Sequence, residues 1–130
     1  MKVIAAFLVL VGASCAQEPP AGEMTTYYMA FLYRGANTSM PPAEADKVQA
    51  AHMAHIKKMA DSGKLILAGP FLDKGDLRGI FVFKVDSMEE AKAMSDNDPA
   101  VKAGRLKVEI RPWYSAKGIQ VVKEPAQKAK

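Results

Sequence analysis

Four segments of the chain carry the hydrophobic pattern of β-strands. They are rich in aliphatic and aromatic residues, which pack well on a pleated sheet, and polar turns separate them. In the last segment apolar residues alternate with charged ones, which is the period of an extended chain. The predicted strands are Met24–Tyr33, Lys64–Phe71, Arg78–Val85 and Arg105–Tyr114.

Two further segments repeat apolar residues with the period of an α-helix. The first covers residues 43–62 and stops at Gly63. The second starts at Ser87, where Glu90 completes a capping box, and ends near Asp96. Both histidines point toward the predicted core, because one face of the first helix collects Ala45, Val48, His52, His55, Ile56 and Met59.

The order of elements, βαββαβ, predicts an α+β protein with a ferredoxin-like unit. Two helices cover only one face of such a sheet, yet the first three strands are apolar on both alternations. A second face in contact with water would carry polar residues. The sequence therefore predicts a homodimer whose sheets pack face to face, as in a dimeric α+β barrel.

The first 16 residues have the composition of an export signal. Lys2 precedes the apolar run VIAAFLVLV, which is too short for a membrane-spanning helix of about 20 residues, and small residues follow. Two processing routes fit: cleavage after Ala16, or a bacterial lipoprotein signal in which Cys15 becomes the lipidated first residue. Both predict an exported protein, periplasmic or secreted, that contacts a membrane only through a lipid anchor on Cys15.

The rest of the chain has room for one domain. Residues 17–23 are a predicted spacer, residues 24–115 the domain and residues 116–130 a loose, Lys-rich tail. Cys15 is the only cysteine, so the mature domain has no internal disulfide. The net charge of +4 is spread along the chain, and no nucleic-acid partner is predicted.

Two side chains are candidates for acid–base chemistry. His52 lies on the core-facing stripe of the first helix, where an imidazole either packs or exchanges a proton near neutral pH. Asp98 precedes Pro99 after the second helix, and its carboxylate either forms part of a turn or orients an imidazole. The residues by themselves leave both interpretations open.

A ligand pocket has further candidates at the strand ends. Arg34, together with Tyr33, ends the first strand and would suit an anionic or carbonyl-bearing ligand. Gly69 and Pro70 close the second strand with a residue free to take unusual dihedral angles and one without an N–H. The interpretation as simple strand termination stays open for both.

His55 is assigned to the pocket lining, with packing as the alternative. Its spacing from His52 would also suit a metal, but the chain has no further histidine and its one cysteine lies in the signal, so no metal is predicted. The glycine-rich, serine-hydrolase and HExxH motifs are absent from the sequence, and no cofactor is predicted.

The spacing of these residues resembles that of the YCII-related family. In that family a His stands eleven residues before the Gly of a G-x-L-x-x-A-G-P segment, and a D-P-x-x-x-A-G segment follows a second helix. The resemblance runs from about Tyr27 to Trp113. The matching positions are His52, Gly63, Leu65, Ala68, Gly69, Pro70, Asp98, Pro99, Ala103 and Gly104.

The resemblance implies a site as well as a fold. It places the family's candidate acid–base histidine on His52 and its carboxylate partner on Asp98, with the Gly69–Pro70 turn at the border of the pocket. It also agrees with a dimeric architecture. The two side chains are then expected within about 3.2 Å of each other, as a partly accessible pair that contributes about 0.5–3 kcal/mol to stability.

Two functions fit the sequence. The first is an exported, cofactor-free YCII-like enzyme whose His52, oriented by Asp98, moves protons on a small organic substrate by isomerisation, elimination or hydrolysis. The second is a dimeric module that binds a small ligand or a partner without turnover. The joint presence of His52 and Asp98 favours the enzyme, whereas the lack of another obvious nucleophile or electrophile favours the module.

Overall fold

The computed structural model describes residues 22–119. The predicted export signal, with Cys15, and most of the predicted spacer and tail lie outside these residues. Within them, no helix is both long and apolar enough to cross a membrane. The elements are β1 (Met24–Arg34), α1 (Pro42–Asp61), β2 (Leu65–Pro70), β3 (Leu77–Phe83), α2 (Met88–Asp96), α3 (Pro99–Lys102) and β4 (Leu106–Ala116).

The strands form one antiparallel sheet in the order β2-β3-β1-β4. The two central strands, β1 and β3, are not consecutive in sequence, because α1 and β2 lie between them along the chain. The predicted α+β, ferredoxin-like fold is therefore confirmed. This order places the end of β1 beside the starts of β3 and β4, all at the same end of the strands.

Helix α1 extends one residue beyond its predicted start. It begins at Pro42 rather than at residue 43, because proline needs no N–H partner in the first turn of a helix. It ends at Asp61, and the following Gly63 has a φ of 74°, in the left-handed region that favours glycine. The predicted stop signal thus acts where the sequence places it.

Half of the predicted capping box of α2 forms as expected. The Ser87 hydroxyl accepts a hydrogen bond from the Glu90 N–H at 3.1 Å, but the Glu90 carboxylate accepts from the N–H of Asp86 instead of Ser87. Lys64 donates to Glu90 at 2.5 Å. This hydrogen bond raises the pKa of Lys64 and lowers the pKa of Glu90, so the pair joins the start of β2 to α2 in its charged form.

A short helix, α3, follows α2 at a position where the sequence predicted no helix. Asp98 is its N-cap, and Pro99 occupies its first turn. Gly104 then has a φ of 72°, as expected after a helix end. Asp-Pro is therefore a helix start here, since aspartate is a favoured N-cap and proline a favoured first helical residue.

The core lies between one face of the sheet and the helices. Alternate residues of β1 and β3 point toward α1 and α2, and β2 adds a leucine. Ile56 of α1 and Met94 of α2 pack at the margin, which confirms the predicted core-facing stripe of α1. The buried cluster consists of Ala30, Leu32, Met59, Leu65, Phe81, Phe83 and Ala91.

The opposite face of the sheet is also largely apolar. It carries the residues that alternate with those of the core, and β4 adds charged side chains at its margin. Two apolar residues of this face, Leu67 and Trp113, are 44% and 37% exposed. The central positions of the face are Tyr27, Met29, Phe31, Ile80 and Val82.

Candidate active site

His52 and Asp98 form a buried pair between α1 and the start of α3. The imidazole Nδ1 lies 2.8 Å from Oδ1 and 2.7 Å from Oδ2 of the carboxylate, so both oxygens face one ring nitrogen. The predicted contact is confirmed. The pair is less accessible than the sequence suggested, because the Asp98 side chain is 0% exposed and that of His52 is 11% exposed.

The backbone of α3 also holds the Asp98 carboxylate. As the N-cap of α3, Asp98 accepts the backbone N–H of Ala100 on Oδ1 at 2.8 Å. The carboxylate therefore has one donor from its own helix and one from α1. Because α3 contacts both α1 and β4, this short helix carries the aspartate to the buried side of the imidazole.

The carboxylate also determines which nitrogen of the His52 ring carries the proton. An ionised carboxylate only accepts hydrogen bonds, so Nδ1 of His52 carries the proton, and in the neutral ring Nε2 has a free lone pair. Throughout residues 22–119 every fully buried side-chain nitrogen or oxygen has a hydrogen-bond partner. Nε2 of His52 has no such partner there, so it must reach accessible surface.

That surface belongs to a cavity of about 510 Å³ between α1 and the sheet. Phe81 forms part of its wall and stacks on the His52 ring, with ring centroids 6.3 Å apart and an interplanar angle of 26°. Leu32, Ile56 and Leu106 add apolar surface. The size and apolar lining suit a small organic molecule.

Three arginines surround one end of this cavity. Arg34 ends β1, Arg78 lies at the start of β3 and Arg105 precedes β4. The antiparallel strand order therefore brings all three to the same end of the strands. Gly35 follows Arg34 and lets the end of β1 lie close to the backbone that enters β4. A Cβ at this position would lie 2.0 Å from the carbonyl oxygen of Gly104. Only Arg34 was predicted from the sequence. The other two are the first residues of predicted strands, and their meeting at one cavity becomes visible only once the strand order is known.

The remaining predicted pocket residues divide into two groups. Gly69 and Pro70 line the cavity together with Arg34, although the backbone of Gly69 is not left-handed. His55 is not among the residues of this cavity wall, and its Nε2 donates a hydrogen bond to the Met94 carbonyl at 2.9 Å. Tyr33 is not part of the wall either.

Within residues 22–119, no group of three or more His, Cys, Asp or Glu side chains is arranged to hold an ion. The Nε2 atom of His55 is engaged by a backbone carbonyl, and Nδ1 of His52 is engaged by Asp98. One nitrogen of each histidine is therefore engaged in a hydrogen bond within the protein.

A sequence model of the YCII-related domain matches residues 26–114, most of the chain. No curated protein matches the chain. The match covers both members of the buried pair and all three arginines of the cavity.

Two solved structures share the fold. The 5-chloro-2-hydroxyhydroquinone dehydrochlorinase from Burkholderia phenoliruptrix AC1100, in complex with 2,5-dihydroxybenzoquinone, is 22% identical with a TM-score of 0.51, covering 67% of this chain and 92% of its own. Muconolactone isomerase, solved at 3.3 Å, is 13% identical with a TM-score of 0.55, covering 80% and 96%. At these identities the similarity establishes the fold alone.

Proposed function

Because the chain belongs to the YCII-related family, we propose that it is a small enzyme in which His52 transfers protons to and from an organic substrate. One observation carries this proposal: Nδ1 of His52 is held by both oxygens of a fully buried carboxylate, while Nε2 opens on the cavity. An imidazole oriented in this way is a general base at Nε2. Asp98 acts as its positioning residue.

The same arrangement supports two reaction classes. In an isomerisation, Nε2 removes a proton from one carbon, the electron pair of the broken C–H bond shifts a double bond, and the imidazolium returns the proton to a second carbon. In an elimination, that electron pair forms the new double bond and expels a leaving group with its own electrons. The names of the two structural neighbours, an isomerase and a dehydrochlorinase, favour these classes over hydrolysis.

The test uses the substrates that these names suggest, muconolactone and 5-chloro-2-hydroxyhydroquinone, with the protein in D₂O. We expect at least one of these substrates to incorporate solvent deuterium or to release chloride faster with the wild-type protein than without protein. The His52→Gln variant should lose this turnover, whereas His55→Gln, outside the cavity, should retain it. The proposal fails if neither substrate reacts faster with the wild type than with His52→Gln. Binding without turnover would instead identify a binding module.

The enzyme is further proposed to be a homodimer. The support is the second face of the sheet, where Phe31 lies opposite Ile80 and Met29 opposite Val82. An apolar face of this kind gains stability when a second sheet covers it. Sedimentation of residues 17–130 should give twice the monomer mass at micromolar concentration, and the Phe31→Asp variant should shift the mass toward the monomer. A stable wild-type monomer would contradict this proposal.

Export is proposed from Lys2, the apolar run and the small residues up to Ala16. The mature protein, periplasmic or secreted, should then lack residues 1–14 or residues 1–16. Mass spectrometry of the native N-terminus distinguishes the two routes, because lipidation adds a diacylglyceryl mass to Cys15. An intact Met1 on protein isolated from the cytosol would contradict export.

A further inference from the structure

We propose that the cavity selects a small organic anion, with its charged oxygen atoms held by Arg78 and Arg105 and its apolar body extending toward His52. The first observation is the charge of the wall. Three of the chain's four arginines line the cavity, and within the described residues no aspartate, glutamate or lysine lines it. A low-dielectric cleft with one sign of charge concentrates ligands of the opposite sign.

The second observation concerns the partners of the three guanidinium groups. Arg34 is partly neutralised by Asp76, with Nε 3.5 Å from Oδ1. Among residues 22–119, Arg78 and Arg105 donate only to the backbone carbonyls of Gly75 and Ala45, at 3.3 and 3.2 Å. In the part of the chain that the structure describes, neither forms a salt bridge. Both retain N–H donors that suit a carboxylate or an ionised phenol.

The third observation is the position of the buried Asp98 carboxylate. Asp98 is fully buried behind the imidazole and does not line the cavity, and its oxygens accept hydrogen bonds from Nδ1 of His52 and from the N–H of Ala100. Asp98 therefore does not compensate the charges of Arg78 and Arg105. The cavity wall also carries the apolar side chains of Leu32, Ile56 and Phe81.

These features define a ligand class: an oxyanion on a compact apolar skeleton. The arginines would also stabilise the negative charge that develops when Nε2 removes a proton, because preorganised donors lower the energy of such an anion. That second role rests on the proposed function, whereas binding of the anion does not.

The test compares ligands of equal shape and different charge. Benzoate is paired with benzamide, and cyclohexanecarboxylate with cyclohexanecarboxamide, in NMR titrations of the ¹⁵N-labelled full domain. We expect each carboxylate to shift resonances of the cavity wall with a Kd about tenfold or more below that of its amide. Amides that bind as tightly as the carboxylates, or carboxylates that leave the cavity resonances unchanged, would overturn the proposal.

Variants locate the anion within the cavity. Arg78→Gln and Arg105→Gln should each weaken the carboxylates about tenfold and leave the amides unchanged. Lys57→Gln removes an equal charge from the solvent side of α1, where Lys57 pairs with Asp61, and should change neither affinity. If Lys57→Gln weakens the carboxylates as strongly, the effect is a general one of net charge and the proposal is wrong. Both arginine variants are tested, because the second still decides the result if the first fails to fold.

The His52→Gln variant separates this inference from the proposed function. It should bind the carboxylates as tightly as the wild type does, whether or not His52 is a catalytic residue. Loss of turnover with retained carboxylate binding supports both proposals. Retained turnover with retained carboxylate binding contradicts the proposed function and supports the anion site.

Discussion

The Asp98→Asn variant should fold with nearly wild-type stability and yet lose turnover by about 10²–10⁴-fold, the usual contribution of a positioned general base. The reason lies in the two hydrogen bonds of the Asp98 carboxylate. Its Oδ1 accepts the N–H of Ala100 at 2.8 Å, and a backbone N–H requires an acceptor. The amide oxygen of the new asparagine must therefore take the Oδ1 position.

The amide nitrogen then occupies the Oδ2 position, 2.7 Å from Nδ1 of His52. An NH₂ group donates and cannot accept Nδ1–H, so we expect Nδ1 to become its acceptor and the ring proton to move to Nε2, in preference to the longer contact of 2.8 Å between Nδ1 and the Oδ1 position. The lone pair that faces the cavity disappears without any change in the shape of the site. Because one N-cap acceptor and one contact to the ring are retained, the loss of stability should be about 1 kcal/mol.

Ring ¹⁵N NMR tests the tautomer without a substrate. The chain has two histidines, and His55 is an internal reference because its Nε2 donates to the Met94 carbonyl at 2.9 Å. At a pH where both rings are neutral, the wild type should show opposite tautomers, Nδ1–H for His52 and Nε2–H for His55. In Asp98→Asn both should be Nε2–H. A variant that keeps Nδ1–H on His52, or that keeps its turnover, would contradict the assigned role of Asp98.

The strands and the two long helices could be predicted from the sequence because their hydrophobic periods are strong and local. The face that α1 buries followed from the same period, and so did the inward direction of His52. For Asp98, periodicity gives no information, since one residue before a proline fits a turn as well as a helix cap. The resemblance to the YCII-related family supplied its pairing with His52.

The parts of the site that the sequence did not predict depend on tertiary structure. Arg78 and Arg105 are separated by 26 intervening residues, and only the strand order brings the starts of β3 and β4 beside the end of β1. His55 shares the core-facing stripe with His52, yet it points to Met94 because α2 packs beside it. Sequence periodicity selects a helix face, but it does not distinguish the part of that face that borders a cavity from the part that meets another helix.

Replacement of Asp98 by alanine should reduce the free energy of unfolding by about 2–4 kcal/mol, the combined cost of a lost N-cap and of a buried donor left without its acceptor. The substitution deletes the N-cap acceptor of α3 and leaves Nδ1 of His52 buried without its partner. The cost exceeds the sequence-based expectation because the carboxylate is 0% exposed.

Urea unfolding followed by circular dichroism measures this effect against a matched control. Asp96→Ala removes a half-exposed carboxylate two residues earlier, which pairs with Lys92 on the surface of α2, and should cost about 0.5 kcal/mol or less. Since a domain of this size is stable by only about 5–15 kcal/mol, Asp98→Ala should move the urea midpoint far below that of Asp96→Ala and of Asp98→Asn. Equal midpoints for the two alanine variants would mean that the buried pair serves the chemistry of the cavity without holding α3 against α1.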